Sequence, residues 1–167
     1  MSSFASDNHS GAHPAVLRAL ERANRGHCPA YGDDPLTIRV ERRLARLFGP
    51  RASARFVLTG TAANVIGLRC FTESYHAVFC AASSHLHRHE CAAPETFLGA
   101  QIVPVQAPDG KLTPELLRPH LRGFGDPHEA QPRAISISQS TECGTVYTPA
   151  EVRALARLAH RHGMILH

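Results

Sequence analysis

Lysine is almost absent from this sequence: Lys111 is the only one among 18 basic residues, so seventeen are arginine. Any chemistry that needs a second lysine is excluded within these 167 residues. Long apolar runs are missing too. None approaches the roughly 20 residues that span a bilayer, which argues against an integral membrane protein. The start, Met1-Ser2-Ser3-Phe4-Ala5-Ser6-Asp7, has neither a basic stretch nor an apolar one, and so does not read as a secretory signal. Aromatics are scarce at 6%, and no run of five basic residues occurs. The pI near 9 therefore does not point to nucleic acid. No CxxC pair occurs, and five widely spaced cysteines are an odd number. They read as reduced thiols of a cytoplasmic protein.

What is present reads as an ordinary globular chain, 43% hydrophobic and 19% charged, long enough to bury about 70% of its extended surface. Helices and short apolar strands alternate. Pro14 to Asn24 reads as a helix with Gly26 as its stop. Asp34-Pro35 opens a second, with Leu36, Val40, Leu44 and Leu47 on one face and Gly49 at its end. Phe56-Val57-Leu58 reads as a short buried strand, followed by a helix from Thr61 to Phe71. Strands are expected at Ala77–Cys80, Gln101–Val105, Ala134–Ser138 and Met164–His167. Thr113-Pro114 opens a helix that Pro119 cuts short. Thr148-Pro149-Ala150-Glu151 is a capping box that opens another, stopped by Gly163. Gly123 to Pro132 reads as a polar loop. This alternation implies an α/β fold, a mostly parallel sheet with helices on both faces. The last strand carries nothing at its carboxyl end, where such sheets bind ligands, so the 167 residues read as the front part of a larger, truncated domain.

Four segments can carry chemistry. In Thr59-Gly60-Thr61-Ala62-Ala63-Asn64 a strand gives way through glycine to a helix, whose first amides and dipole make an anion site. The plainer reading is a helix start capped by Thr61. In His85-Leu86-His87-Arg88-His89-Glu90-Cys91, extended backbone puts His85, His87, His89 and Cys91 on one face like zinc ligands, whereas a loop and helix start makes them diverge. A histidine there can instead stack on a flat ligand. Asp33 and Asp34 are either paired carboxylates or a turn in which Asp34 caps the helix begun by Pro35. Gln139 to Gly144 is either a binding pocket at a strand end or a solvated loop with Gly144 at positive φ.

Taken in order, five segments resemble the threonine aldolase and β-eliminating lyase family, closest to its bacterial low-specificity L-threonine aldolases. They are Ser6-Asp7-Asn8; Tyr31-Gly32-Asp33-Asp34-Pro35; Thr59 to Asn64; Glu90-Cys91 with Ala93-Pro94-Glu95; and Thr141-Glu142 followed by Gly144-Thr145-Val146-Tyr147. The resemblance implies a fold-type I, pyridoxal 5′-phosphate (PLP)-dependent transferase-like large domain, of which residues 1–167 form the front half. It implies a lyase that splits a β-hydroxy amino acid into glycine and an aldehyde, with PLP as electron sink. It also implies a homodimer or homotetramer. By resemblance, Gly60 and Thr61 hold the PLP phosphate and His85 stacks on the pyridine ring. Ser6 holds the substrate carboxylate, Tyr31 completes the pocket across a subunit interface, and Glu90 and Glu142 lie at the pocket.

The departures matter equally. The Asp-Gly-Ala-Arg segment and the Schiff-base lysine of the family are not among these residues. Lys111 follows a turn, Pro108-Asp109-Gly110, and does not replace that lysine. Glu142 stands where some members carry histidine, and His89 where an acidic residue is common. The expectation is a lyase by family whose 167 residues alone are inactive. The alternatives are a non-catalytic phosphate or PLP-binding remnant and a His/Cys metal module.

Overall fold

The computed structural model describes residues 9–167. They form two units, one ending at Phe56 and the other running from Val57 to His167.

The first unit contains helices α1 (Pro14–Ala23) and α2 (Pro35–Phe48). Asp34 caps α2: its carboxylate accepts from the backbone N–H of Leu36 and Thr37 and from the Thr37 hydroxyl, at 2.9, 2.9 and 2.6 Å. Those bonds, the Thr37 hydroxyl first, hold its carboxyl below the usual range. The paired-carboxylate reading of Asp33 and Asp34 thus gives way to the capping one. Both helices are amphipathic, yet neither buries a residue. Leu17, Leu20, Val40 and Leu47 are all exposed.

The second unit holds a four-stranded parallel sheet of β1 (His76–Ala81), β2 (Gln101–Val105), β3 (Gln131–Ile135) and β4 (Ile165–Leu166), in the order β2-β1-β3-β4. Its helices are α3 (Gly60–Arg69), α4 (His85–Arg88), α5 (Ala93–Leu98), α6 (Pro114–Leu117) and α7 (Pro149–Arg161). Strand β1 is central and, from Ala77 on, apolar and buried, as a strand covered on both faces must be. Alternate residues point to opposite faces. Ala77, Phe79 and Ala81 pack with Leu117 of α6 and with Leu155 and Leu158 of α7. Val78 and Cys80 pack with Leu68 of α3, Leu86 of α4 and Leu98 of α5. Each such leucine, fully buried, contributes about 1.5–3 kcal/mol. Helices therefore cover both faces, as the alternating pattern predicts.

Two local expectations are corrected. Phe56–Leu58 is not a strand: it pairs with no other strand among the described residues, and Leu58 is 97% exposed. A short apolar run becomes a strand only where a neighbour takes its backbone bonds. Strand β3 starts at Gln131, three residues before the apolar run, because β1 pairs His76 with Gln131 and Ala77 with Pro132. An irregularity in the register beside Val78 accommodates the proline there, which has no N–H to donate. Pro119, as expected, ends α6, and the chain continues as a single 3-10 turn over Arg118–His120.

The capping box at α7 is formed in full, with Glu151 accepting from the Thr148 N–H at 2.6 Å. Glu151 also accepts from Lys111 Nζ at 2.6 Å. The Lys111 bond and then the Thr148 bonds hold its carboxyl down at about 2. A depressed carboxyl stabilises the fold above its ordinary value of 4.5 and loses that contribution as pH falls toward 2. The stability gap between this chain and Glu151→Gln is therefore expected to be full at pH 6 and to close by pH 2, read from denaturant midpoints. A gap that does not change with pH contradicts the pairing.

Candidate active site

The carboxyl ends of β1, β3 and β4 lie side by side, and the segments leaving these strands carry polar groups. After β1, Ser84 caps α4, its hydroxyl accepting from the His87 N–H at 3.4 Å. The chain is thus a short helix at His85–Arg88, not extended, and the four-ligand face of His85, His87, His89 and Cys91 is not formed. Among the described residues no group of three metal-ligating side chains exists. Burial pushes the Cys80 thiol up to about 11, so it stays protonated at neutral pH.

The helix start instead places His85 against a buried carboxylate. Glu90 Oε1 lies 3.0 Å from His85 Nδ1 and accepts from Asn64 Nδ2 at 2.6 Å. The Glu90 side chain is wholly buried, while that of His85 is about half exposed, at 52%. Glu90 Oε2 is buried without a partner. Directly after Glu90, Cys91 and Ala92 both adopt positive φ, at 51° and 57°. Such backbone costs of order 1–3 kcal/mol per residue and persists where the surroundings enforce it, as functional sites do. Glu142, on the loop after β3, accepts from the His85 backbone N–H at 2.6 Å and from the Ser138 hydroxyl at 3.4 Å. His85 is thus held at its backbone by one carboxylate and at its ring by another.

Asn64 stands on α3, one turn beyond Gly60 and Thr61. The cap of α3 is Thr59, whose hydroxyl accepts from the Ala62 N–H at 3.1 Å, and not Thr61 as the sequence pattern indicated. Thr59 is the last extended residue, and an N-cap must be extended. The fold itself does not require glycine at position 60: its φ is not left-handed, and a Cβ there meets nothing within 4 Å. The room in front of the first amides is therefore open to a ligand, in the arrangement that binds phosphate.

Tyr31 lies in the first unit, exposed and at φ 63°. Ser6 lies outside the described residues. Lys111 is committed to Glu151 and lies over the Tyr147 ring, 5.8 Å from its centroid. Gly144 takes φ 75°, as a loop glycine does. Asn64, Ser136 and His167 carried no role in the sequence reading. Ser136 follows β3 and its hydroxyl lies 3.0 Å from His167 Nδ1 after β4. The order of β3 and β4 brings Ser136 and His167 together, and the packing of α3 beside α4 brings Asn64 to Glu90. A separate cavity of about 700 Å³, lined among others by Phe79, Gln101, His120, Arg122 and His128, opens at the other end of the strands. Ligands of such sheets sit at the carboxyl ends, which favours the His85 site.

Comparison with known proteins is consistent with this geometry. The family described as Beta-eliminating lyase matches residues 3–167. The low specificity L-threonine aldolases of Pseudomonas aeruginosa and Pseudomonas sp. are 41% and 40% identical over 165 residues, covering 98% of this chain and 48% of each relative. The structure of Leishmania major threonine aldolase superposes with a TM-score of 0.88 at 30% identity, over 94% of this chain and 46% of that one. The chain thus spans about half the length of the relatives it matches, and its architecture is that of PLP-dependent transferases. Threonine aldolases and β-eliminating lyases of this kind are PLP-dependent lyases. No helix among the described residues is long and apolar enough to cross a membrane.

Proposed function

The chain belongs to the β-eliminating lyase family, and from that membership we propose that residues 1–167 are the front half of the cofactor-binding domain of an L-threonine aldolase-type lyase. The observation that carries the proposal is the convergence of His85, Glu90 and Asn64, with Asn64 on the same helix whose first amides lie open beyond Gly60.

The residues present fit PLP. The amides of Gly60 and Thr61 and the dipole of α3 hold the phosphate. His85 presents its ring to the pyridine, and Glu90 fixes that ring through Nδ1. Glu142 holds the backbone at His85 and lines the cofactor pocket. By resemblance, Ser6 serves the substrate carboxylate and Tyr31 completes the pocket across a subunit interface. When bound, PLP supplies an electron sink for breaking the Cα–Cβ bond of a β-hydroxy amino acid. With Nδ1 engaged by Glu90, His85 Nε2 is the nitrogen left to contact the ring or take the substrate hydroxyl proton. From threonine the products are glycine and acetaldehyde. These 167 residues alone do not complete that reaction, because they contain no free lysine to carry the cofactor. By family the whole enzyme works as a homo-oligomer, and the odd number of widely spaced cysteines suits a cytoplasmic compartment.

The test is a chimera in which this chain continues into the remaining half of the P. aeruginosa enzyme. Supplied with PLP, it is expected to release glycine from L-threonine. Replacing Glu90 by Gln is expected to lower that rate at least tenfold. A chimera that folds and binds PLP but leaves every β-hydroxy amino acid intact overturns the proposal.

A further inference from the structure

We propose that His167 is a positioning residue of this site: its Nδ1 accepts from the Ser136 hydroxyl, and its Nε2–H serves the free Oε2 of Glu90 through one buried water. One carboxylate then braces two histidines, His85 on Oε1 and His167 on Oε2.

Three observations meet here. Glu90 Oε1 already takes Asn64 and His85, whereas Oε2 is buried and unpartnered. Buried carboxylate oxygens are costly to leave unpaired, so Oε2 calls for a donor. The ring edge of His167 that carries Nε2 faces α3: a Cβ on Gly67 would stand 3.5 Å from Nε2 and 3.7 Å from Cδ2. Gly67 is one turn beyond Asn64, which itself donates to Glu90. The free donor edge and the free acceptor thus abut the same stretch of α3. The other ring nitrogen is engaged, 3.0 Å from the Ser136 hydroxyl.

The protonation state agrees. Burial pushes the His167 imidazole down, and the Glu90 charge partly offsets this. Among the described side chains Glu90 is the charged group that acts on this ring, beside the terminal carboxylate His167 itself carries in the 167-residue chain; Glu142 engages the backbone of His85 instead. A neutral imidazole has a single N–H, and one that accepts at Nδ1 carries it at Nε2. The consequence for His85 is indirect. With Glu90 held at both oxygens, its carboxylate cannot rotate, and His85 keeps Nδ1–H toward it and Nε2 toward the pocket.

The use of this network rests on the proposed role of His85, but its existence is tested without cofactor or substrate. Long-range ¹H–¹⁵N correlation spectra of the 167-residue chain report each imidazole tautomer and midpoint. The expected result is His167 as the Nε2–H tautomer, titrating below the ordinary imidazole value. In Glu90→Gln its midpoint falls further, by about half a pH unit or more, while His76, which faces Arg133 and Glu73, does not move. In Ser136→Ala the Nε2–H form persists, because Glu90 still holds it. His167 as the Nδ1–H tautomer in the unsubstituted chain overturns the proposal, a result that needs no variant to fold. An unchanged His167 midpoint in a folded Glu90→Gln overturns it equally. Failure of the chimera to cleave threonine, with these spectra as expected, would refute the activity and leave the network standing.

Discussion

The 167-residue chain, saturated with PLP and given L-threonine, is expected to release acetaldehyde no faster than PLP alone. The only lysine cannot carry the cofactor at the candidate site. Its Nζ is paired with Glu151 at 2.6 Å, and its side chain is 19% exposed. Its neighbours Leu112 and Tyr147 belong to the core on the α6 and α7 face, whereas α3 and α4 cover the opposite one. Freeing the amine would break its pair with Oε1 of Glu151, the residue whose other oxygen closes the α7 capping box. Loss of a covalent catalytic group costs roughly 10⁴- to 10⁶-fold when the other groups act with it as a unit. Acetaldehyde release followed by a coupled dehydrogenase has range enough to see that. Cofactor-dependent cleavage that disappears in Lys111→Arg would make Lys111 the carrier and overturn the assignment.

Replacing Gly60 by valine is expected to weaken binding of pyridoxamine 5′-phosphate at least tenfold, about 1.4 kcal/mol, with the fold intact. Both halves of that expectation come from the same geometry. Apart from its chain neighbours and its own helix backbone, nothing among the described residues lies within 4 Å of a Cβ at position 60, and the backbone there is not left-handed, so the fold has room for a side chain there. Surface changes of this kind shift stability by about 0.5 kcal/mol or less. Yet the added methyl groups stand in front of the first amides of α3, where the phosphate belongs. Calorimetric titration reads the affinity, and a thermal melt of the same sample reads the fold. Equal affinity in the two proteins would place the ligand elsewhere.

The sheet was legible from local patterns where the chain is apolar and short. β2 was expected at its observed bounds, and β1 within one residue of them. The Asp34 cap and the Thr148–Glu151 box were readable because capping depends on neighbours in sequence. Phe56–Leu58 failed for the opposite reason, since a strand depends on a partner distant in sequence. The polar start of β3 at Gln131 was hidden because ladder bonds from β1, and not side-chain character, draw it into the sheet. At the site, His85, Gly60 and Thr61 announced themselves by standing at strand ends and helix starts. The pairing of Glu90 with Asn64, 26 residues apart, and of Ser136 with His167, 31 apart, has no periodic signature. The first arises from the packing of α3 and the α4 turn on the same face of the sheet, the second from the adjacency of β3 and β4.

The central claim is that the start of α3 and the His85–Glu90 pair form one site at the carboxyl edge of the sheet. The most direct test is a titration of the ¹⁵N-labelled chain with pyridoxamine 5′-phosphate, monitored residue by residue. The account predicts saturable shifts at the Gly60, Thr61 and Ala62 amides together with the His85 ring, at one common midpoint. Shifts confined to His120, Arg122 and His128, in the cavity at the other end of the strands, would contradict it.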